Sequence, residues 1–217
     1  MKNILLEVYD FIKNPNDQRI KNWSLELNVK YLLYILFFKF IIAALIYIPL
    51  IYFLDKIEPL VYETRIDYKS NTFLQVLVVT SILVPIVEEF IFRYLLRYNK
   101  LFSIIINKDK WNIIFKILVY TSIFIFGFGH SSNYENNSTL FYCILPILIS
   151  TQLIGGVFLT FLRVRFNLLT SIVLHVSWNG LLTIIPFAIT IFEKPYENSS
   201  ENHTLIIEYL NYNTNKL

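Results

Sequence analysis

The chain has 217 residues, 55% of them hydrophobic and only 16% charged, with a mean hydropathy of +0.52, which excludes an ordinary soluble domain and points to a membrane protein. A net charge of +3 is too mild for a nucleic-acid surface, so no nucleic-acid partner is expected. The single cysteine, Cys143, excludes a disulfide within the chain and a cysteine-built metal site.

Residues 1–29 are mixed and charged, and the first apolar run comes after them, too long and too late for a cleavable signal peptide. Within this segment Ile4, Leu5, Val8, Phe11 and Ile12 fall at helical spacing, and Asn14-Pro15-Asn16 breaks the pattern. A surface anchor and a packed helix fit it equally well. The first span is expected over Tyr31 to Leu54, with Lys39 snorkelling toward the nearer interface. A polar loop, 55–72, follows.

The second span starts near Phe73 and is apolar to Leu96 except for Glu88, Glu89 and Arg93. Pro85 should kink it and free a backbone carbonyl. The third span runs from Trp111 to His130, the fourth from Leu140 to Leu162 and the fifth from Leu168 to Phe192. A polar tail, 193–217, closes the chain, and His203 to Tyr212 within it could form a short helix. Basic residues gather in the N-terminal segment, in the 97–110 loop and at Arg163 and Arg165, while Ser131 to Thr139 has no Lys or Arg. That places the N-terminus and the basic loops in the cytoplasm, with five crossings and the C-terminus outside. The expected fold class is therefore all-α, a polytopic transmembrane helix bundle of about five spans with an amphipathic N-terminal segment. Its organisation is a segment 1–29, a transmembrane domain 30–192 with a motif core at 73–182, and a tail 193–217. Richness in Ile, Asn, Lys, Tyr and Phe suggests an AT-rich genome and a bacterial plasma membrane.

Three charges in six residues of one span need a reason, since each costs roughly 2.5–3.5 kcal/mol at a helix centre on insertion scales. Glu89 and Arg93 are four apart, share a helix face and can pair. Glu88 points about 100° away and is left for another neighbour. A carboxylate kept partly out of water is suited to act as a base. Two other spans offer polar ridges: Phe126 with His130, and His175 with Asn179. Counted from the basic residues at the membrane edge, Glu88 and His175 come to similar depths, and His130 fits less well. A transporter or proton relay would string polar residues along a path; here they cluster.

Glu88-Glu89-x-x-x-Arg93, then Phe126-x-x-x-His130, then His175-x-x-x-Asn179, in this order and on separate spans, resemble the motifs of the CAAX-protease and bacteriocin-processing (Abi) family of intramembrane endopeptidases. Gly155-Gly156 and the approach to His175 are similar too, and the resemblance covers about 73–182. It implies hydrolysis of a peptide bond in a membrane-embedded peptide or protein, in a water-filled cavity within the bilayer. By the resemblance Glu88 would activate a water, and His130 and His175 would hold it or protonate the leaving amine. Asn179 would stabilise the oxyanion or orient His175. Glu89 and Arg93 would brace the site, Glu89 being also able to contribute to the chemistry, and Phe126 would pack beside His130 as part of the substrate-binding wall. No metal or other cofactor is expected. The alternative is zinc on His130, His175 and Glu88. A non-catalytic immunity or partner-binding protein could share the scaffold.

Overall fold

The computed structural model describes residues 3–57, 73–134 and 139–192, and every regular element among them is helical. Contact grouping divides the chain into two units, Met1–Leu181 and Leu182–Leu217. The described part of the second unit is the end of the last helix, to Phe192. Of the expected loop 55–72, residues 55–57 continue the first long helix and the rest, with the tail and the helix proposed at His203 to Tyr212, lies outside the described residues.

Helix α1 (Ile4–Lys13) starts where Asn3 Oδ1 accepts the Leu5 amide. Its apolar face is buried inside the protein: Phe11 packs edge-on to Phe161 at 5.8 Å, and Tyr31 Oη donates to Glu7 at 2.6 Å. Of the two readings of this segment, the packed helix is the one observed. Helix α2 (Leu25–Ile57) carries the first span and is longer than expected at both ends.

The second span, Phe73–Arg93, consists of α3 (Phe73–Val78), one wide π turn (Val79–Leu83) and α4 (Val84–Arg93). Pro85 accounts for the wide turn. In it the Val84 amide reaches back to Val79 O. The next bond of that register would run from Pro85 to Thr80 O, and proline has no N–H to give. Pro85 therefore gives no backbone donor to Thr80 O. A short interfacial helix, α5 (Lys100–Ile105), precedes α6 (Lys108–Gly129), and a 3-10 turn, His130–Asn133, extends the third span past its expected end. The fourth span is two helices, α7 (Thr139–Leu148) and α8 (Ser150–Arg165), which meet at Ile149, whereas the sequence suggested one. Helix α9 (Leu168–Phe192) is the fifth.

Five helical stretches are long and apolar enough to cross a membrane. The outward Leu33, Phe37, Leu45, Ile91, Ile113 and Ile117 would be a fault in water and suit lipid. The chain is accordingly an integral, multi-pass membrane protein.

Small residues and arginines set how α4, α6 and α8 meet. A methyl group on Gly127 would collide with the Leu153 side chain and come within 3.3 Å of its Cα; one on Gly156 would lie 3.2 Å from Phe126 Cδ1. These two glycines let α6 and α8 approach closely. Arg163 Nε donates to Arg93 O and its Nη2 to Tyr94 O, both at 2.9 Å. Arg97 Nη2 donates in return to Arg163 O (3.1 Å) and Val164 O (2.7 Å). Each arginine satisfies carbonyls at the end of the other's helix, which holds the ends of α4 and α8 at one level. Burial, together with the nearby Arg19 and Arg163, pushes Arg97 down to about 10, so it keeps its charge at neutral pH.

Lys39 corrects the sequence reading. It does not snorkel: it is 6% exposed, with Nζ 4.2 Å from the centroid of the Trp178 ring. Gly155 makes room for it, since a methyl there would lie 3.1 Å from Nζ. An aromatic face replaces part of the lost hydration.

Candidate active site

The second span presents Glu88 and Glu89 to different surroundings, because successive residues on a helix point about 100° apart. Glu89 is fully buried and densely partnered. Arg93 Nη1 lies 3.1 Å from its Oε1, His175 Nδ1 lies 3.0 Å from the same oxygen, and Ser171 Oγ donates to its Oε2. The Arg93 contact is not aligned as a hydrogen bond and is therefore chiefly coulombic; the guanidinium also lies over Phe126, its Cζ 3.9 Å from the ring centroid. The expected Glu89–Arg93 pair is present. Its coupling to His175 and Ser171, across from α9, was not foreseen.

Glu88 keeps 24% of its side chain exposed, yet its Oε2 is enclosed and accepts no hydrogen bond among the described residues. That oxygen faces His175 Nε2 at 3.5 Å. His175 thus stands between the two carboxylates, one on each ring nitrogen. If Nδ1 donates to Glu89, as a carboxylate acceptor requires, neutral His175 turns a lone pair toward Glu88. Two acceptors then face each other, an arrangement that calls for a proton or a water between them. The sequence brought Glu88 and His175 to similar depths, and they do meet.

Phe126 joins the two histidines. Its ring is edge-on to His130 at 4.8 Å and to His175 at 5.6 Å, and the residue is 4% exposed. His130 Nδ1 donates to Phe126 O at 2.8 Å, since a carbonyl can only accept, and this leaves Nε2 as the free lone pair. Among the described residues His130 makes no hydrogen bond or ion pair to Glu88, Glu89 or His175. It flanks the acid–histidine group through Phe126.

Asn179 Nδ2 donates to Thr80 O at 3.1 Å. That is the carbonyl to which Pro85 has no N–H to give, and the amide of the last motif braces the wide turn just before the carboxylates. Sequence spacing gave no sign of this. Lys39, outside the motifs, is a further charged group at the same level, within electrostatic reach of Glu89, Arg93, His130 and His175. Among the described residues no three His, Cys, Asp or Glu side chains converge as a metal-ligand set.

The fold and this buried arrangement define a polytopic helical membrane protein with a carboxylate–histidine centre packed among its helices. The model of the type II CAAX prenyl endopeptidase Rce1-like family matches residues 70–181, just over half of the chain, and the chain belongs to that family of peptidases. The match contains every motif residue from Glu88 to Asn179 and leaves Lys39 outside. No curated protein matches the chain, and no solved structure does.

Proposed function

We propose that this protein is an intramembrane endopeptidase that uses Glu88 to activate water against a peptide bond of a membrane-associated peptide or protein. The observation that carries the reading is His175 held between two carboxylates, with Nδ1 engaged by Glu89 and Nε2 turned to Glu88. Glu88 takes a proton from water as the oxygen attacks the carbonyl carbon. The tetrahedral intermediate collapses, the C–N bond breaks, and the proton passes to the leaving amine through Glu88 and His175 Nε2. Glu89, fixed by Arg93 and Ser171, orients His175 and stabilises its charged form. His130 Nε2 accepts a hydrogen bond from the attacking water and helps to hold it. Asn179 acts through Thr80, keeping the wide turn and hence Glu88 in place. Phe126 is the wall that spaces both histidines and carries Arg93.

The reaction as written uses only the chain's own groups. The zinc alternative on Glu88, His130 and His175 would need His130 to swing toward the other two. Metal analysis of the purified protein checks this: stoichiometric zinc, lost along with activity in His175→Ala, would replace this mechanism with a metal-assisted one. The composition and the basic loops support a bacterial plasma membrane with the N-terminus in the cytoplasm. The deciding experiment compares membrane peptides, quantitatively, between cells carrying the wild-type chain and cells carrying Glu88→Gln. Peptides that accumulate uncut only in the variant identify substrates; identical profiles and full biological activity in the variant would sink the endopeptidase reading and leave a binding or immunity protein.

A further inference from the structure

Lys39 is a buried ammonium that the mechanism above does not use. Its side chain is 6% exposed, it comes from α2, and it lies outside the family match. Among the described residues no carboxylate lies within ion-pair distance of its Nζ, and its close neighbours are the Trp178 ring and Gly155. Trp178 is one residue before Asn179 and three after His175, so α9 presents His175 and Trp178 on neighbouring positions of one face. Gly155 matters for space: a methyl would come within 3.1 Å of Nζ and 3.2 Å of Cε. A methionine or leucine at position 39 would fill this space without desolvating a charge. A lysine there is costly in a bilayer core unless an anion meets it. Arg93 has Glu89 as its anion; Lys39 has none at contact distance among the described residues.

Resting on the endopeptidase reading, we propose that Lys39, with Trp178 and Gly155, forms an anion subsite of the active site that receives a carboxylate of the substrate peptide. The 4.2 Å contact with Trp178, one helical turn from His175 on α9, brings the ammonium to the helix face that carries the reacting histidine. Trp178 holds the lysine chain and gives the incoming carboxylate a dry wall. Enclosure makes the pairing strong and selective: a neutral group would leave the ammonium buried and unpaired. The subsite therefore chooses substrates by charge near the scissile bond, and the carboxylate is either the peptide's C-terminus or an acidic side chain.

The test uses the full chain in phosphatidylcholine nanodiscs and three fluorogenic versions of one peptide cleaved by wild type but not by Glu88→Gln. One ends in a free carboxylate, one in a carboxamide, and one in a carboxamide with an aspartate as last residue. In wild type kcat/KM for the free acid should exceed that for the plain carboxamide by about ten- to a hundredfold, carried by KM. In Lys39→Met that ratio should fall to about one, while Lys39→Arg should keep part of it. Gly155→Ala should lower it with little change in melting temperature, because the collision is with the end of a flexible side chain. Rescue by the aspartate version assigns the subsite to side-chain carboxylates; no rescue assigns it to the terminus. A wild-type ratio near one, or a ratio that survives Lys39→Met, overturns the proposal. If wild type cleaves no peptide, the endopeptidase reading fails separately. Binding of a dansylated Leu/Ala-rich peptide, acid against amide, to Glu88→Gln with and without Lys39→Met then decides: equal binding of acid and amide to the lysine form overturns the subsite.

Discussion

Two layers of this molecule bury charge, and they do so differently. At the ends of α4 and α8, Arg97 and Arg163 give their N–H groups to backbone carbonyls, each capping the other's helix. Those acceptors are neutral, fixed and present whatever the site is doing. One level deeper, Glu88, Glu89, Arg93 and His175 meet each other. There the partners are titratable, Glu88 Oε2 has no hydrogen bond among the described residues, and a proton can change owner. The first layer positions; the second can react. The difference teaches that a buried charge alone says little, and that the nature of its partner separates bracing from chemistry.

Substitutions can break this contrast, and the largest effect belongs to the deep layer. Glu88→Gln keeps shape and removes the base; cleavage should fall by about 10²–10⁴-fold while the melting temperature holds, measured by turnover and thermal unfolding in detergent. Arg93→Met should lower both, because it strands Glu89 without its cation; breaking a buried pair in this way costs about 3–5 kcal/mol, read from the unfolding midpoint. Arg163→Met belongs to the bracing layer and should cost about 2–3 kcal/mol of stability, the specific activity of the folded fraction changing less than in Arg93→Met. If Arg163→Met abolished turnover with an unchanged midpoint, the division into two layers would be wrong. Asn179→Ala should cost about 1–2 kcal/mol by removing the side-chain donor to Thr80 O, with a loss of turnover smaller than that of Glu88→Gln. A chelator should have the least effect, leaving turnover unchanged at concentrations that strip zinc.

The motif residues were legible because apolar spans make every polar position conspicuous. Glu89 with Arg93, and Phe126 with His130, are spaced for one helix face, and their contacts followed from that spacing. Lys39 misled for the same reason: one lysine in a span looks the same whether it reaches outward or inward, and Gly155 and Trp178, which hold it, lie more than a hundred residues away. The break at Ile149 was hidden because Ser150 and Thr151 are too mild to interrupt an apolar run.

The sequence by itself determined an all-helical membrane protein, the order of its spans, the family, and which polar residues stand out, since these depend on hydropathy and helical spacing along one segment. Only the tertiary structure decided that His175 lies between Glu88 and Glu89, that Asn179 donates to Thr80 O in the wide turn, and that Lys39 points inward. Those pairings depend on how far each helix is turned and how deep it sits. The glycine contacts of α6 with α8 and the reciprocal arginine caps of α4 and α8 set both, and they join residues distant in the chain.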